Sequence, residues 1–268
     1  MRPTSTHFFA CLALAGGLGC ATLRATAADP TPIPVAMYMD TGVSGKGPHM
    51  FEETAAKTPD LKVTRITAKE IRGGKLKDFR VLVMPGGGGS TQGTVLEASG
   101  RDAIKAYVKD GGCFVGICAG CYLASTGYDW SLDLLPAKVI DRAHWKRGEG
   151  YLLMELTPDG AQWFGRQPDS TLVDCRYSNG PILEPIAGAK EKLITLAHFR
   201  QEFIPSGAKP GVMLDSPAIV AARSGKGWAV GISPHPEQTE GLKDLVPATI
   251  RRVLTPTPME AAEKTAKP

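Results

Sequence analysis

The stretch Gly111-Gly112-Cys113-Phe114-Val115-Gly116-Ile117-Cys118-Ala119-Gly120 limits the folds open to this chain more than any other. The leading glycines stop whatever helix precedes them. Cys113 to Ile117 is an apolar run of buried-strand length that ends at a cysteine flanked by small residues. A strand that turns into a helix at such a point must bend sharply, and glycines two residues before and after Cys118 let the two backbones approach. Bulk at 116 or 120 should clash.

Around this elbow, apolar runs of strand length alternate with longer amphipathic stretches. That alternation predicts an α/β fold: a flavodoxin-like, doubly wound, mostly parallel sheet with helices on both faces. Pro34 to Asp40, Leu61 to Thr67, Phe79 to Met84 and Cys113 to Ile117 read as the first four strands, with helices over His49 to Lys57 and Arg101 to Lys109. Phe79 to Met84 runs into Pro85 and four glycines, as a central strand entering an open loop would. Further strands are expected at Ala137 to Ile140, Tyr151 to Leu156, Thr171 to Cys175 and Leu193 to Ala197. Ala218 to Ala222 and Trp228 to Ile232 flank a glycine-containing hairpin, and Gly241 to Leu254 reads as a last helix.

The first residues read as an address. Arg2 is followed by an apolar run from Phe8 to Gly19 that is too short to span a bilayer, and Ala25-Thr26-Ala27 has the small residues a signal peptidase needs. Residues 1–27 are therefore expected to be a signal peptide, 28–254 one domain, and 255–268 a disordered Pro, Lys, Glu and Ala tail. The mature protein is expected to be exported, periplasmic or secreted. Lipid anchoring at Cys20 is the alternative, although Gly17 stands where a lipobox wants a larger aliphatic residue. Removing Arg2 and Arg24 leaves 29 basic residues of 31 against 27 acidic ones, a net charge of +2 with no footprint for nucleic acid. No later apolar stretch is long enough to cross a membrane. Nothing in the sequence speaks to oligomeric state.

Chemistry concentrates at two places. Four cysteines follow the leader, and Cys113, Cys118 and Cys121 are crowded together. At the elbow, the following helix points the positive end of its dipole at Cys118, the placement that suits a thiol nucleophile. Pro234-His235-Pro236-Glu237 follows the apolar strand ending at Ile232, so it should emerge from the same sheet edge. Pro236 pushes His235 towards an extended conformation, which would send residues 235 and 237 to one side. His235 can then take the thiol proton while Glu237 fixes its tautomer. The bare backbone of Gly86-Gly87-Gly88 can face a reacting oxygen, with the amides of Gly87 and Ala119 as oxyanion donors. No Gly-Lys-Ser/Thr follows, which argues against a phosphate loop. Zinc would need a fourth ligand beside Cys118, Cys121 and His235, so no metal and no cofactor is expected.

The elbow, the glycine loop and the His-Pro-Glu segment resemble class I glutamine amidotransferases, whose catalytic Cys, His and Glu would fall on Cys118, His235 and Glu237. More closely, Gly111 to Tyr122, Tyr177-Ser178-Asn179-Gly180-Pro181 and Ser224-Gly225-Lys226-Gly227 are similar to the amino-terminal domain of eukaryotic biotin-protein ligases and its stand-alone bacterial relatives. That resemblance spans roughly residues 34 to 254. It does not extend to a ligase catalytic domain and implies no biotinylation. It does imply Tyr177, Asn179 and the loop from Asp40 to Ser44 as substrate contacts, and Gly86 and Gly88 of the bare loop are expected beside them.

The function expected from both lines is hydrolysis of an amide or related acyl bond through a thioester, on a small-molecule or peptide substrate. A catalytically silent binding module on the same scaffold is one alternative. Another is a thiol oxidoreductase using the C-x-x-C spacing of Cys118 and Cys121.

Overall fold

Four apolar runs of the first half form the parallel core that positions everything else. The computed structural model describes Met1, residues 31–167 and residues 171–255. The proposed signal peptide, Cys20 and nearly all of the expected tail lie outside the described residues. The strands are β1 (Ile33–Tyr38), β2 (Leu61–Ile66), β3 (Val81–Met84), β4 (Cys113–Ile117), β5 (Ala137–Ile140), β6 (Glu149–Leu156), β7 (Leu172–Ser178), β8 (Ile182–Pro185), β9 (Ile194–Phe199), β10 (Pro217–Ser224) and β11 (Gly227–Ile232). The helices are α1 (Gly47–Ala56), α2 (Ala68–Arg72), α3 (Gly89–Lys109), α4 (Ala119–Ala124), α5 (Pro158–Phe164) and α6 (Leu245–Leu254).

The main sheet has the order β2-β1-β3-β4-β11-β10-β9-β6-β7, and β5 pairs with β8 in a separate ribbon. From β2 to β11 neighbours run parallel, and from β11 to β7 they run antiparallel. Strand alternation sends side chains to two cores. Val35, Met37, Val115 and Ile117 join Phe51 of α1 and Ile250 of α6 on one face. Ala36, Tyr38 and Phe114 join Ile71 of α2, Ile104 of α3 and Leu123 of α4 on the other. Each of these large side chains, once out of water, contributes about 2 kcal/mol. The doubly wound, flavodoxin-like α/β architecture follows from that two-sided burial.

The structure adds elements that local pattern misses. Helix α3 begins at Gly89, inside the glycine loop, and is kinked at Glu97, where φ is 59°. Its first half contains Gly89, Ser90, Thr91 and Gly93, poor helix formers held by packing rather than by propensity. At Gly93 a side chain would come within 2.5 Å of Trp130 O. Helix α5 is capped by the Thr157 hydroxyl, which accepts from Gly160 N–H at 3.0 Å. No helix among the described residues is long and apolar enough to cross a membrane.

Candidate active site

Three neighbouring parallel strands end at the same level and carry the candidate residues on their last turns. Ile117 of β4 pairs with Ile232 of β11, and Gly116 pairs with Met84 of β3. The glycine loop, Cys118 and His235 therefore leave one sheet edge side by side. Cys118 N–H donates to Ile232 O at 2.8 Å, tying the elbow to the strand that delivers His235.

Cys118 has φ 50° and ψ −98°, a conformation that a side-chain-bearing residue rarely adopts and that nucleophile elbows impose. The flanking glycines make it possible. A Cβ at Gly116 would lie 2.3 Å from Gly120 O, and one at Gly120 would lie 2.1 Å from Met84 O. Substitution at either would force strand and helix apart, as the spacing predicts. The thiol of Cys118 donates to Ser178 O at 3.4 Å, a partner to which no local pattern points.

His235 and Glu237 meet, but not through strand alternation. Residues Pro236–Gln238 form a single tight helical turn, and that turn folds the carboxylate back onto the ring. His235 Nδ1 lies 2.7 Å from Glu237 Oε1, and both side chains are buried. With Nδ1 committed to the carboxylate, Nε2 is the ring nitrogen left for Cys118. The Gln238 amide donates to the same carboxylate oxygen at 3.2 Å. His235 N–H donates to Arg176 O at 2.7 Å and the Thr239 hydroxyl donates to His235 O at 2.9 Å, so β7 fixes this segment.

Burial, the largest single influence, pushes the His235 imidazole down. The charge and contact of the Cys118 sulfur and of the Glu237 carboxylate act in the opposite sense and prevail, raising it to about 10. Glu237 Oε1 also faces the start of α1, where a Cβ at Gly47 would come within 2.5 Å of it. Helix α1 has no acidic residue in its first turn and no side-chain cap, so this carboxylate is the negative group at its positive end.

The glycine loop is held from outside. Ser44 N–H donates to Gly86 O at 3.2 Å and Gly88 N–H to Gly42 O at 2.8 Å, stapling the segment after β1 onto the loop. Gly87 has φ 139°, and a Cβ there would sit 2.0 Å from Gly42 O. Among the described residues nothing accepts from Gly87 N–H, and Ala119 N–H, at the first position of α4, has no intrahelical acceptor.

Cys118 and His235 open into a cleft of about 1020 Å³ that Gly86, Gly87, Gly88 and Asn179 also line. Tyr177 does not line it, contrary to the expectation from resemblance. Its side chain is fully buried, its ring packs edge-on to Phe199 at 5.7 Å, and its hydroxyl donates to Gly180 O at 2.8 Å. Tyr177 braces the turn that presents Asn179, and Asn179 itself has φ 53° and accepts Gly148 N–H at 2.9 Å. Ser44, from the loop that the resemblance implied, lines the cleft, and so do Gln238, Tyr151 and Trp130, which sequence reasoning did not place in the site. Cys121 belongs to the opposite core from Cys118, is fully buried, and burial pushes its thiol up. The four cysteines of the described residues are all free. Among those residues no cluster of His, Cys, Asp or Glu could hold a metal ion.

The fold recurs in solved structures of low identity. A ThuA-like protein of Bacteroides uniformis superposes with a TM-score of 0.57 at 15% identity, covering 87% of this chain and 96% of that one. A GMP synthase-type protein of Thermoplasma acidophilum gives 0.56 at 13% identity, with coverages of 88% and 98%. A β-galactosidase of Bacillus circulans sp. alkalophilus gives 0.54 at 14% identity over 84% of this chain, which spans only 32% of that enzyme. These likenesses show a shared doubly wound α/β fold. Curated proteins yield no match. The family described as "Biotin-protein ligase, N terminal" matches residues 34–255, from the first strand to the end of the last helix, and the chain belongs to that family.

Proposed function

We propose that the protein hydrolyses an amide, or a related acyl bond, through a covalent thioester on Cys118. The observation that carries the reading is the 2.7 Å contact of His235 with Glu237 beside a strained cysteine on the adjoining strand. Sulfur attacks the carbonyl carbon, and the developing oxyanion is met by the amides of Gly87 and Ala119. His235 then gives its proton to the departing nitrogen as the carbon–nitrogen bond breaks. Water attacks the thioester with His235 as base, and the acid leaves as the thiol is restored. Glu237 supports the imidazolium throughout. The leader-like first residues favour work beyond the cytosol, which makes a dedicated ammonia-consuming partner domain unnecessary to this reading.

A redox role draws no support from the position of Cys121 in the opposite core. The test is a hydrolysis screen against glutamine, small amides and peptide carboxamides, with Cys118→Ala as control. Turnover that vanishes in the variant is the expected result. Ligand binding without turnover in any member of the screen would leave a silent binding module.

A further inference from the structure

Resting on the hydrolase reading for the bond cleaved, we infer that the substrate is an acidic, aromatic peptide amide rather than free glutamine. Three features of the cleft carry this. The first is size: about 1020 Å³ stands at the upper end of the roughly 300–1,000 Å³ typical of sites for drug-sized ligands. A single amino acid would leave most of that space to water.

The second feature is the aromatic lining of the cleft. Tyr128 and Trp130 stack with ring centroids 4.4 Å apart, and both line the cleft. Trp145 and Tyr151 line it too and are 50% and 57% exposed; the Lys146 ammonium lies 5.2 Å from the Trp145 ring centroid, and much of both rings still faces water. Rings presented this way gain most from a flat apolar group laid against them.

The third feature is charge. Lys46, Arg142 and Arg176 line the cleft against one carboxylate, Glu149, whose charge Arg176 takes up at 3.0 Å. Arg142 lies 4.2 Å over the Tyr128 ring and donates to Gly127 O and Val139 O, which holds its planar cation fixed at the wall. Lys46 is exposed at the start of α1 and makes no ion pair with any described residue. The surplus of two cations selects for carboxylates on the ligand.

Calorimetry on Cys118→Ala protein tests this without turnover. The probes are a short peptide carboxamide bearing two acidic residues and one phenylalanine, the same peptide with lysines in place of the acids, and glutamine. The acidic peptide is expected to bind at least about tenfold more tightly than either, and Trp145→Ala to weaken it about tenfold. Lys46→Glu, a change on an exposed side chain, should narrow the acid-over-lysine preference while leaving thermal stability intact. Equal affinity for acidic and basic peptides, or for glutamine and the acidic peptide, overturns the inference. Tight binding of the acidic peptide with no cleavage by wild-type protein overturns the hydrolase reading and leaves the ligand class standing. Cleavage of glutamine with no affinity for the peptide does the reverse.

Discussion

Glu237 reaches His235 across a single tight turn, and the 2.7 Å contact joins two buried side chains. A carboxylate so placed directs the proton of the ring to Nδ1 and leaves Nε2 facing the sulfur, a division of roles that depends on Glu237 staying in place.

Thiol reactivity should follow this arrangement. Iodoacetamide at pH 6 should label Cys118 far ahead of Cys113, Cys121 and Cys175, and His235→Ala should slow that labelling by about a hundredfold. Mass spectrometry of timed digests reads both. Equal rates in wild type and variant would remove the activated nucleophile.

The proton on His235 gives a second handle. Its folded pKa is raised from 6.5 to about 10, so the stability it lends is fully present below about 6.5 and is lost as pH rises through about 10. Ring NMR should find the imidazole still protonated at neutral pH. The sulfur is the foremost of the raising influences, so Cys118→Ala should move the titration downward. An unmoved titration in that variant would show that sulfur and ring do not communicate.

Gly47 offers a test of positioning without touching the reacting groups. Its missing side chain leaves room for Glu237 Oε1, which a Cβ would approach to 2.5 Å. Gly47→Ala should therefore displace the carboxylate, lower the His235 titration and cut Cys118 labelling by roughly tenfold, while melting remains cooperative. A variant with wild-type labelling and titration would free Glu237 of any orienting role.

The elbow itself should be intolerant of bulk. At Gly120, Ala would press its methyl to 2.1 Å from Met84 O, a backbone contact that cannot swing aside. A loss of about 3 kcal/mol is expected, read by thermal or urea denaturation. A loss below about 0.5 kcal/mol, the range of ordinary surface changes, would mean that strand and helix separate freely.

Cys121 should prove structural. With Cys118 and Cys121 on opposite cores, non-reducing mass spectrometry after exposure to oxidised glutathione should find no disulfide between them. Cys121→Ala should cost about 1 kcal/mol and leave Cys118 labelling unchanged. A reversible bond between the two would revive the oxidoreductase.

Much of the fold was legible in the chain. Cys113–Ile117 was readable to the residue, because a continuous apolar run between glycines and a small-residue elbow leaves little choice of boundary. The start of α3 was not, because Gly89 to Gly93 carries loop chemistry and becomes helical only by lying against Trp130. The contact of His235 with Glu237 has a cause other than the one local pattern suggests: extension alone does not join them, and the turn at Pro236 does. Tyr177 was drawn into the site by resemblance, whereas its hydroxyl serves Gly180. Most of the aromatic wall was not legible: Trp145 reads more readily as part of a solvated loop than as a pocket border, and Tyr128, Trp130 and Tyr151 share no local pattern with it and converge only in three dimensions.

The pairing of Cys113 with Trp228, and so on to Ile117 with Ile232, also makes the site depend on a contact between distant parts of the chain. Strands that far apart in the chain must close a long loop before they pair, which makes their pairing slow. A fragment ending before β11 has the cysteine but neither its imidazole nor the backbone acceptor that holds its bend. The reactivity of one sulfur thus serves as a clock for refolding experiments: it switches on when the last parallel strand docks, and anything that delays docking is read directly as delay in labelling.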